Sequence, residues 1–287
     1  GGIHIQEGTA YISNTEISNN TADNGGGVYI YEGDSGTIVN LDRATIVGNT
    51  TTISGGGIYS EAGTTLNLVN SIVWNNSPGS IAGEGDKIIT YSNIDSTTSG
   101  TGNIDVDPMF VDVDNGDYNL TADSRLIDTG HPDSTDADGT IVDMGAYYYD
   151  QTGHPVRVSN LITTPSADNV SVRWKANSDA ASYNVYRSTD ESADFYSLDP
   201  YTTASDTSYL DETAEDNTTY HYRVSAVDSE SDEGILAFVD HGRRGDDTTA
   251  LSMGADDRWI SVSDHRAPVF SPDQDYTLEF YFRPLGY

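Results

Sequence analysis

Carboxylates are the most abundant groups in this sequence that could do chemistry. Asp and Glu number 46 against 13 Lys and Arg, a formal net charge of −33 over 287 residues. They cluster. Asp105, Asp107, Asp112, Asp114 and Asp117 fall in one stretch, and Asp133, Asp136 and Asp138 precede Gly139 in another. Aspartates interleaved with turn residues suit the hard oxygen ligation of Ca2+. Asp133, Asp136, Asp138, Asp105 and Asp107 are therefore the candidate metal ligands, and Ca2+ is the candidate cofactor. The spacing lacks the glutamate that an EF-hand loop carries at its twelfth position. The same residues equally suit turns on a solvated acidic surface, and both readings stand.

Catalytic constellations are scarce. A polysaccharide lyase needs a base for the sugar proton and a cation for the uronate. The first 150 residues offer only Arg43, Lys87 and Arg125 as basic side chains, at unrelated positions, and His4 and His131 without an evident partner. A glycoside hydrolase needs two carboxylates at a fixed separation, and no acidic pair sits in a recognisable motif. The absence of cysteine excludes disulfides, thiol catalysis and iron–sulfur ligation. The net charge argues against nucleic acid or an anionic membrane as main partner. No run of 18 apolar residues exists, so no membrane insertion is expected.

The elements that must carry any site are short and repetitive. Gly1-Gly2-Ile3-His4-Ile5, Gly26-Gly27-Val28-Tyr29-Ile30 and Gly56-Gly57-Ile58-Tyr59-Ser60 recur, each followed by Glu and Gly. In phase with them run Thr15-Glu16-Ile17-Ser18-Asn19-Asn20, Ala44-Thr45-Ile46-Val47-Gly48-Asn49 and Asn70-Ser71-Ile72-Val73-Trp74-Asn75-Asn76. Strands this short gain stability by stacking coil on coil, which extends parallel sheets and buries one continuous apolar column. Corners need left-handed or bridge backbone, which Gly and Asn tolerate, so Gly27 and Gly57 are read as structural positions. Asn amides at equivalent corners can stack as a hydrogen-bonded ladder. The sequence opens within a repeat and is read as part of a longer chain.

Residues 1–150 resemble the right-handed parallel β-helix family. Gly102-Asn103-Ile104-Asp105-Val106-Asp107-Pro108-Met109-Phe110-Val111, Ser124-Arg125-Leu126-Ile127-Asp128-Thr129-Gly130 and Val142-Asp143-Met144-Gly145-Ala146-Tyr147-Tyr148 are similar to the C-terminal, choice-of-anchor segment of large secreted bacterial β-helix proteins. Arg125 and Tyr148 stand where Pro and Glu are commoner. The resemblance implies secretion or surface residence and no single chemistry.

After a polar join at 150–155 the pattern changes. Val170-Ser171-Val172-Arg173-Trp174, Ser182-Tyr183-Asn184-Val185-Tyr186-Arg187 and Thr219-Tyr220-His221-Tyr222-Arg223-Val224 alternate between polar turns, which predicts a β-sandwich over 155–240. The stretch resembles a fibronectin type III domain, with Trp174 as the core tryptophan and Tyr220 as the corner tyrosine. Both are read as structural; Tyr196 and Tyr201 are the other aromatics open to a sugar-stacking role. Arg244-Gly245-Asp246 is read as linker. Residues 248–287, with Asp275-Tyr276-Thr277-Leu278-Glu279-Phe280-Tyr281-Phe282, resemble the opening strands of a laminin-G-like, concanavalin-type jelly roll.

The expected fold class is thus all-β: a parallel β-helix, a fibronectin type III sandwich and truncated jelly-roll strands. The expected role is non-catalytic, in adhesion or in binding a polysaccharide or cell-surface glycan, at the cell surface or after secretion. The alternatives are the accessory portion of a polysaccharide lyase or glycoside hydrolase with its site upstream, and a passive stalk. A face carrying aromatics favours the glycan reading; a purely polar face favours the stalk.

Overall fold

The computed structural model describes residues 1–33, 36–95 and 99–245, with the backbone of 252–253 and 260–261. The first hundred residues form β1 (Ile3–Ile5), β2 (Gly8–Ser18), β3 (Thr21–Asn24), β4 (Val28–Ile30), β5 (Thr37–Val47), β6 (Thr50–Ser54), β7 (Ile58–Ser60), β8 (Thr64–Val69), β9 (Ile72–Trp74), β10 (Ile81–Ala82), β11 (Asp86–Thr90) and β12 (Asn93–Ile94). Every ladder among them is parallel. One sheet runs β1-β4-β7-β10; another joins β2, β5, β8, β9, β11 and β12; β3 pairs β6. Each turn of chain therefore adds one strand to the first sheet and either one long bent strand or two short ones to the second, in the phase that the sequence repeat sets.

Alternate side chains point inward and stack by type. Ile17, Ile46 and Val73 form one inner column, and Leu41, Leu68 and Ile89 continue another from Ile12. Burying each such side chain is worth about 1.5–3 kcal/mol, and no single coil could do this alone.

The corners explain the polar repeats. Asn14, Arg43, Asn70 and Tyr91, one per coil, all have φ between 47° and 52°, so β2 and β5 bend at one left-handed corner. Asn19, Gly48 and Asn75 make a second, with φ of 55°, 65° and 51°. The amides of Asn20, Asn49 and Asn76 stack inside. Asn20 Nδ2 donates to Asn49 Oδ1 and Asn49 Nδ2 to Asn76 Oδ1, each at 3.0 Å. The same oxygens accept the backbone N–H of Asn20 and Asn49.

Gly27 and Gly57 are needed for a different reason from the one their pattern suggests. The left-handed glycines of their turns are Gly25 and Gly55, with φ of 57° and 68°. At Gly27 a Cβ would sit 2.6 Å from the Gly57 carbonyl oxygen, and at Gly57 it would sit 2.5 Å from that of Ser80. Close approach of successive coils, not backbone conformation, demands glycine here. Gly57→Ala is expected to lower stability by about 2 kcal/mol, the cost of overpacking a tight core, read as a fall in the urea midpoint; an unchanged midpoint would show that the coils can part without penalty.

The stack ends sooner than the resemblance over 1–150 implies. Its last parallel bridge joins Asn93 and Ile104. The chain then folds back along the flank of the coils through a hairpin of β13 (Phe110–Asp112) and β14 (Asp117–Leu120). Gly145 N donates to Asn70 O at 2.8 Å, Ala146 N to Thr45 Oγ1 at 2.9 Å, and Asn19 Nδ2 to Tyr118 Oη at 2.9 Å.

Residues beyond 155 are antiparallel. β15 (Ile162–Pro165), β16 (Val170–Arg173), β17 (Ser182–Ser188), β18 (Thr202–Ala204), β19 (Ser208–Asp211), β20 (Thr219–Val227) and β21 (Asp240–Arg243) form a three-stranded sheet, β15-β16-β19, and a four-stranded one, β18-β17-β20-β21. Val170, Val172, Trp174, Tyr183, Val185, Tyr220, Tyr222 and Val224 belong to one buried cluster, with the rings of Trp174 and Tyr183 5.3 Å apart, edge to face. Tyr220 Oη accepts the Glu215 N–H at 3.4 Å. β22 (Ser252–Met253) pairs with β23 (Ile260–Ser261); the remainder of 248–287, where the sequence predicts jelly-roll strands, lies outside the described residues.

Candidate functional site

One open face of the coils is the outside of the sheet formed by β11, β8 and the first halves of β5 and β2. Strand alternation sends Val39, Leu41, Leu66 and Leu68 inward and their neighbours outward. The register aligns the outward residues in rows: Thr9, Tyr11 and Ser13; Ile38, Asn40 and Asp42; Thr65, Asn67 and Val69; Asp86, Ile88 and Thr90. Four strands spaced about 4.8 Å apart make this grid about 14 Å long. Tyr11 is 82% exposed, Ile88 61% and Ile38 42%. Between Tyr11 and Ile88 lie two amides in line. Asn67 Nδ2 donates to Asn40 Oδ1 at 2.8 Å, and Asn40 Nδ2 to Ala10 O at 3.2 Å. The platform thus offers a free aromatic face, aliphatic patches and fixed amides, bordered by hydroxyls and carboxylates.

The aromatic column on the β1-β4-β7 sheet is different. The Tyr29 and Tyr59 rings stack at 5.6 Å, 15° from parallel, and His4 meets Tyr29 edge on. Their faces cover one another, so this column holds coils together and shows solvent its edges. Tyr29 Oη donates to Glu61 Oε1; that bond, burial and the Glu61 charge push the phenol up to about 12.

Most carboxylates in the returning segment hold backbone. Asp143, 2% exposed, accepts the Asp128 and Tyr149 N–H groups, both at 2.7 Å. Asp136 Oδ2 accepts the Asp143 N–H at 2.7 Å. Asp138 accepts from Thr140 N and Oγ1 on one oxygen and from Gln151 N on the other. Gln151 Nε2 donates to Asp128 Oδ2 at 3.0 Å. Burial pushes the Asp143 carboxyl up to about 7, against its two backbone donors and helped by the charges of Asp128 and Asp136. Burial likewise raises Asp128 and Asp136, and the Asp138 charge adds to both.

The fold separates the Ca2+ candidates. Asp136 and Asp138 come together with Asp128 and Asp143, which share their electrostatics. Asp133, Asp105 and Asp107 do not join them. All three are exposed, and Asp107 Oδ1 caps its own turn through the Met109 N–H. Among the described residues no set of three or more His, Cys, Asp or Glu side chains is gathered to hold a metal ion. Sequence spacing groups neighbours along the chain; the fold groups Asp128 and Asp143 with Asp136 and Asp138 across turns of it.

The two tyrosines open to a sugar-stacking role beyond 155 are engaged. The Arg187 guanidinium lies 3.8 Å from the centroid of the Tyr201 ring, and that of Arg223 lies 5.3 Å from Tyr196. Tyr196 also bonds Ala122 O and Leu236 N, at the junction of the two regions. Arg223 spans that junction to Asp123, and Arg157 donates to Ser124 O and Ala122 O. Tyr11 has no motif. Its only mark in the sequence is an aromatic residue at an outward strand position, which becomes visible once the inner column is assigned.

No protein family and no curated protein matches the sequence. Solved structures align with about a third of it. An Fn3-like protein from Clostridium thermocellum is 27% identical, over 30% of this chain and 90% of that one, with a TM-score of 0.28. The sixth fibronectin type III domain of a human fibronectin type III domain-containing protein is 21% identical, over 35% and 93%, at 0.27. A β-1,2-glucanase from Parabacteroides distasonis is 20% identical, over 31% and 12%, at 0.27. At such scores these likenesses carry no functional weight. No helix among the described residues is long and apolar enough to cross a membrane.

Proposed function

We propose that this chain is a non-catalytic glycan-binding part of a modular secreted or cell-surface protein. In this reading residues 1–150 are the end of a right-handed parallel β-helix with its returning segment. Residues 155–240 are a fibronectin type III spacer, and 248–287 open a laminin-G-like module. The observation that carries the proposal is the outer grid on β2, β5, β8 and β11, with Tyr11 82% exposed beside the Asn40–Asn67 amide pair. A sugar presents a C–H face that packs on an aromatic ring and hydroxyls that pair with amides and carboxylates. A passive stalk needs none of these on one face.

The charge narrows the ligand. A net charge of −33 repels polyanions, so a neutral or cationic polysaccharide fits and a polyuronate does not. Tyr11→Ala is expected to weaken binding to the best ligand of a polysaccharide array at least fivefold with no change in melting temperature, because the ring supports no packing. Equal binding by the variant would remove the grid as the site. The specific support for a stalk instead is the junction braced by Arg223 and Arg157, and absence of binding on the whole array would favour it.

A further inference from the structure

We propose a hard-cation site in the returning segment, built from Asp128, Asp138 and Gln151, with Ca2+ as its ligand. This goes beyond the glycan reading and does not depend on it. Two buried oxygens there have no hydrogen-bond partner: Asp128 Oδ1 and Gln151 Oε1. Gln151 is 4% exposed, and its amide head is fixed on the cluster, since Nε2 donates to Asp128 Oδ2 at 3.0 Å. That bond sets the amide orientation: turning it over would place Oε1 against a carboxylate oxygen. A buried acceptor of this kind normally finds a donor, and here the surroundings supply negative charge.

The charges around the site favour a cation. Asp128 feels Asp138 as a like charge, and Asp136 feels both. The facing cations are few. Arg157 acts on Asp128 through its field: its NH1 and NH2 donate to the Ser124 and Ala122 carbonyls, its guanidinium lies over the Phe238 ring, and its Nε is buried without a partner. Arg43 acts on Asp136. Asp143 holds one backbone N–H on each oxygen, and the ligand set is limited to Asp128, Asp138 and Gln151. Asp138 spends one oxygen on Thr140 and the other on Gln151 N, which leaves that second oxygen a free lone pair.

Two carboxylates and one amide oxygen are a set Ca2+ accepts, because it takes neutral oxygens and water alongside carboxylates. The set contains fewer than three acidic ligands, in keeping with the lack of any such trio among the described residues. Of the three, Asp128 reaches a groove of about 880 Å3 that it lines together with Thr140, Arg157, Phe238 and Asp240. With two charges the affinity belongs to the weak extracellular class, Kd about 10⁻⁴–10⁻³ M.

The test is calorimetric titration of Ca2+ into the chelator-stripped chain in 0.15 M NaCl, where diffuse binding to the acidic surface is screened. One Ca2+ per chain is expected, together with a rise in melting temperature. Asp128→Asn keeps the backbone staples of Asp143 and is expected to lower the affinity at least tenfold. Gln151→Glu adds a carboxylate at the orphaned oxygen; it is expected to melt lower than the parent without Ca2+ and to bind Ca2+ at least tenfold more tightly. Binding that survives Asp128→Asn, uptake at many sites that fades with salt, or no uptake at all would each overturn the proposal. Near-ultraviolet circular dichroism of both variants shows whether they fold; should Asp128→Asn fail to, Gln151→Glu alone decides.

Discussion

Asn49→Leu is expected to destabilise the chain by about 4 kcal/mol, more than any exposed asparagine in the repeat. Asn49 is fully buried. Its Nδ2 donates to Ile17 O, Val47 O and Asn76 Oδ1, and its Oδ1 accepts Asn20 N and Nδ2. The NH2 has two hydrogens to share among its three acceptors, so about four full bonds at about 0.5–1.5 kcal/mol each give that figure. Leucine keeps the branched shape but its methyl groups are bulkier than the amide, so no cavity is left and some overpacking adds to the polar loss. The Asn20 backbone N–H would lose its acceptor at a coil boundary. Because each coil touches only its neighbours, damage to the middle rung weakens two interfaces at once. Asn67, whose amide bonds Asn40 on the outer face, is the comparison: Asn67→Leu is expected to cost no more than about 0.5 kcal/mol. Urea midpoints of the two variants check this. Equal shifts would mean that the inner amides contribute no more than surface ones.

Asp211→Ala is expected to cost about 3–5 kcal/mol, the penalty for leaving the partner of a buried ion pair alone. Asp211 is fully buried at the end of β19. It accepts Arg187 NH1 and Tyr222 Oη, both at 2.7 Å, and the N–H and hydroxyl of Thr213. Arg187 is held between the rings of Tyr201 and Tyr220, with the Thr213 hydroxyl as its other side-chain acceptor, so its guanidinium loses its charge partner in a largely buried setting once Asp211 is gone. The pair links the two antiparallel sheets, β19 in one and β17 and β20 in the other.

The same residue sets an acid limit. Burial pushes the Asp211 carboxyl up, but Arg187 with the Tyr222 and Thr213 hydroxyls overrides it and holds the carboxyl below its ordinary value. A folded value below the unfolded one, about 3.9, means that the unfolded chain binds the proton first. The stabilisation is therefore complete above about pH 4 and disappears as pH falls through the folded value. Melting temperature below pH 4 is expected to fall more steeply in the parent than in Asp211→Asn. Parallel slopes would assign the acid sensitivity to other carboxylates.

The repeat by itself determined the coils. Its glycines, asparagines and alternating Ile, Val and Leu specify where strands turn and which side faces in, because those are local properties of backbone and pattern. The Asn20–Asn49–Asn76 rungs follow from identical residues at identical phases. The alternation around Trp174 and Tyr220 likewise specified an antiparallel sandwich core. Other features needed the third dimension. The demand for glycine at Gly27 and Gly57 comes from a neighbouring coil's carbonyl, 30 and 23 residues away respectively, a contact that φ preferences do not encode. The grid around Tyr11 exists only because the parallel register aligns four strands from four coils.

The acidic loops show the limit most clearly. Spacing groups Asp133 with Asp136 and Asp138, and Asp105 with Asp107, since a sequence displays only neighbours along the chain. Folding separates Asp133, Asp105 and Asp107 into solvent and draws Asp128, Asp143 and Gln151 against Asp136 and Asp138. The reason is the backbone: N–H groups of the returning segment, cut off from water and from any sheet, must find acceptors, and the nearest carboxylates are recruited to them. Which carboxylate serves the chain and which oxygen is left over is decided by that closure and is written in no motif.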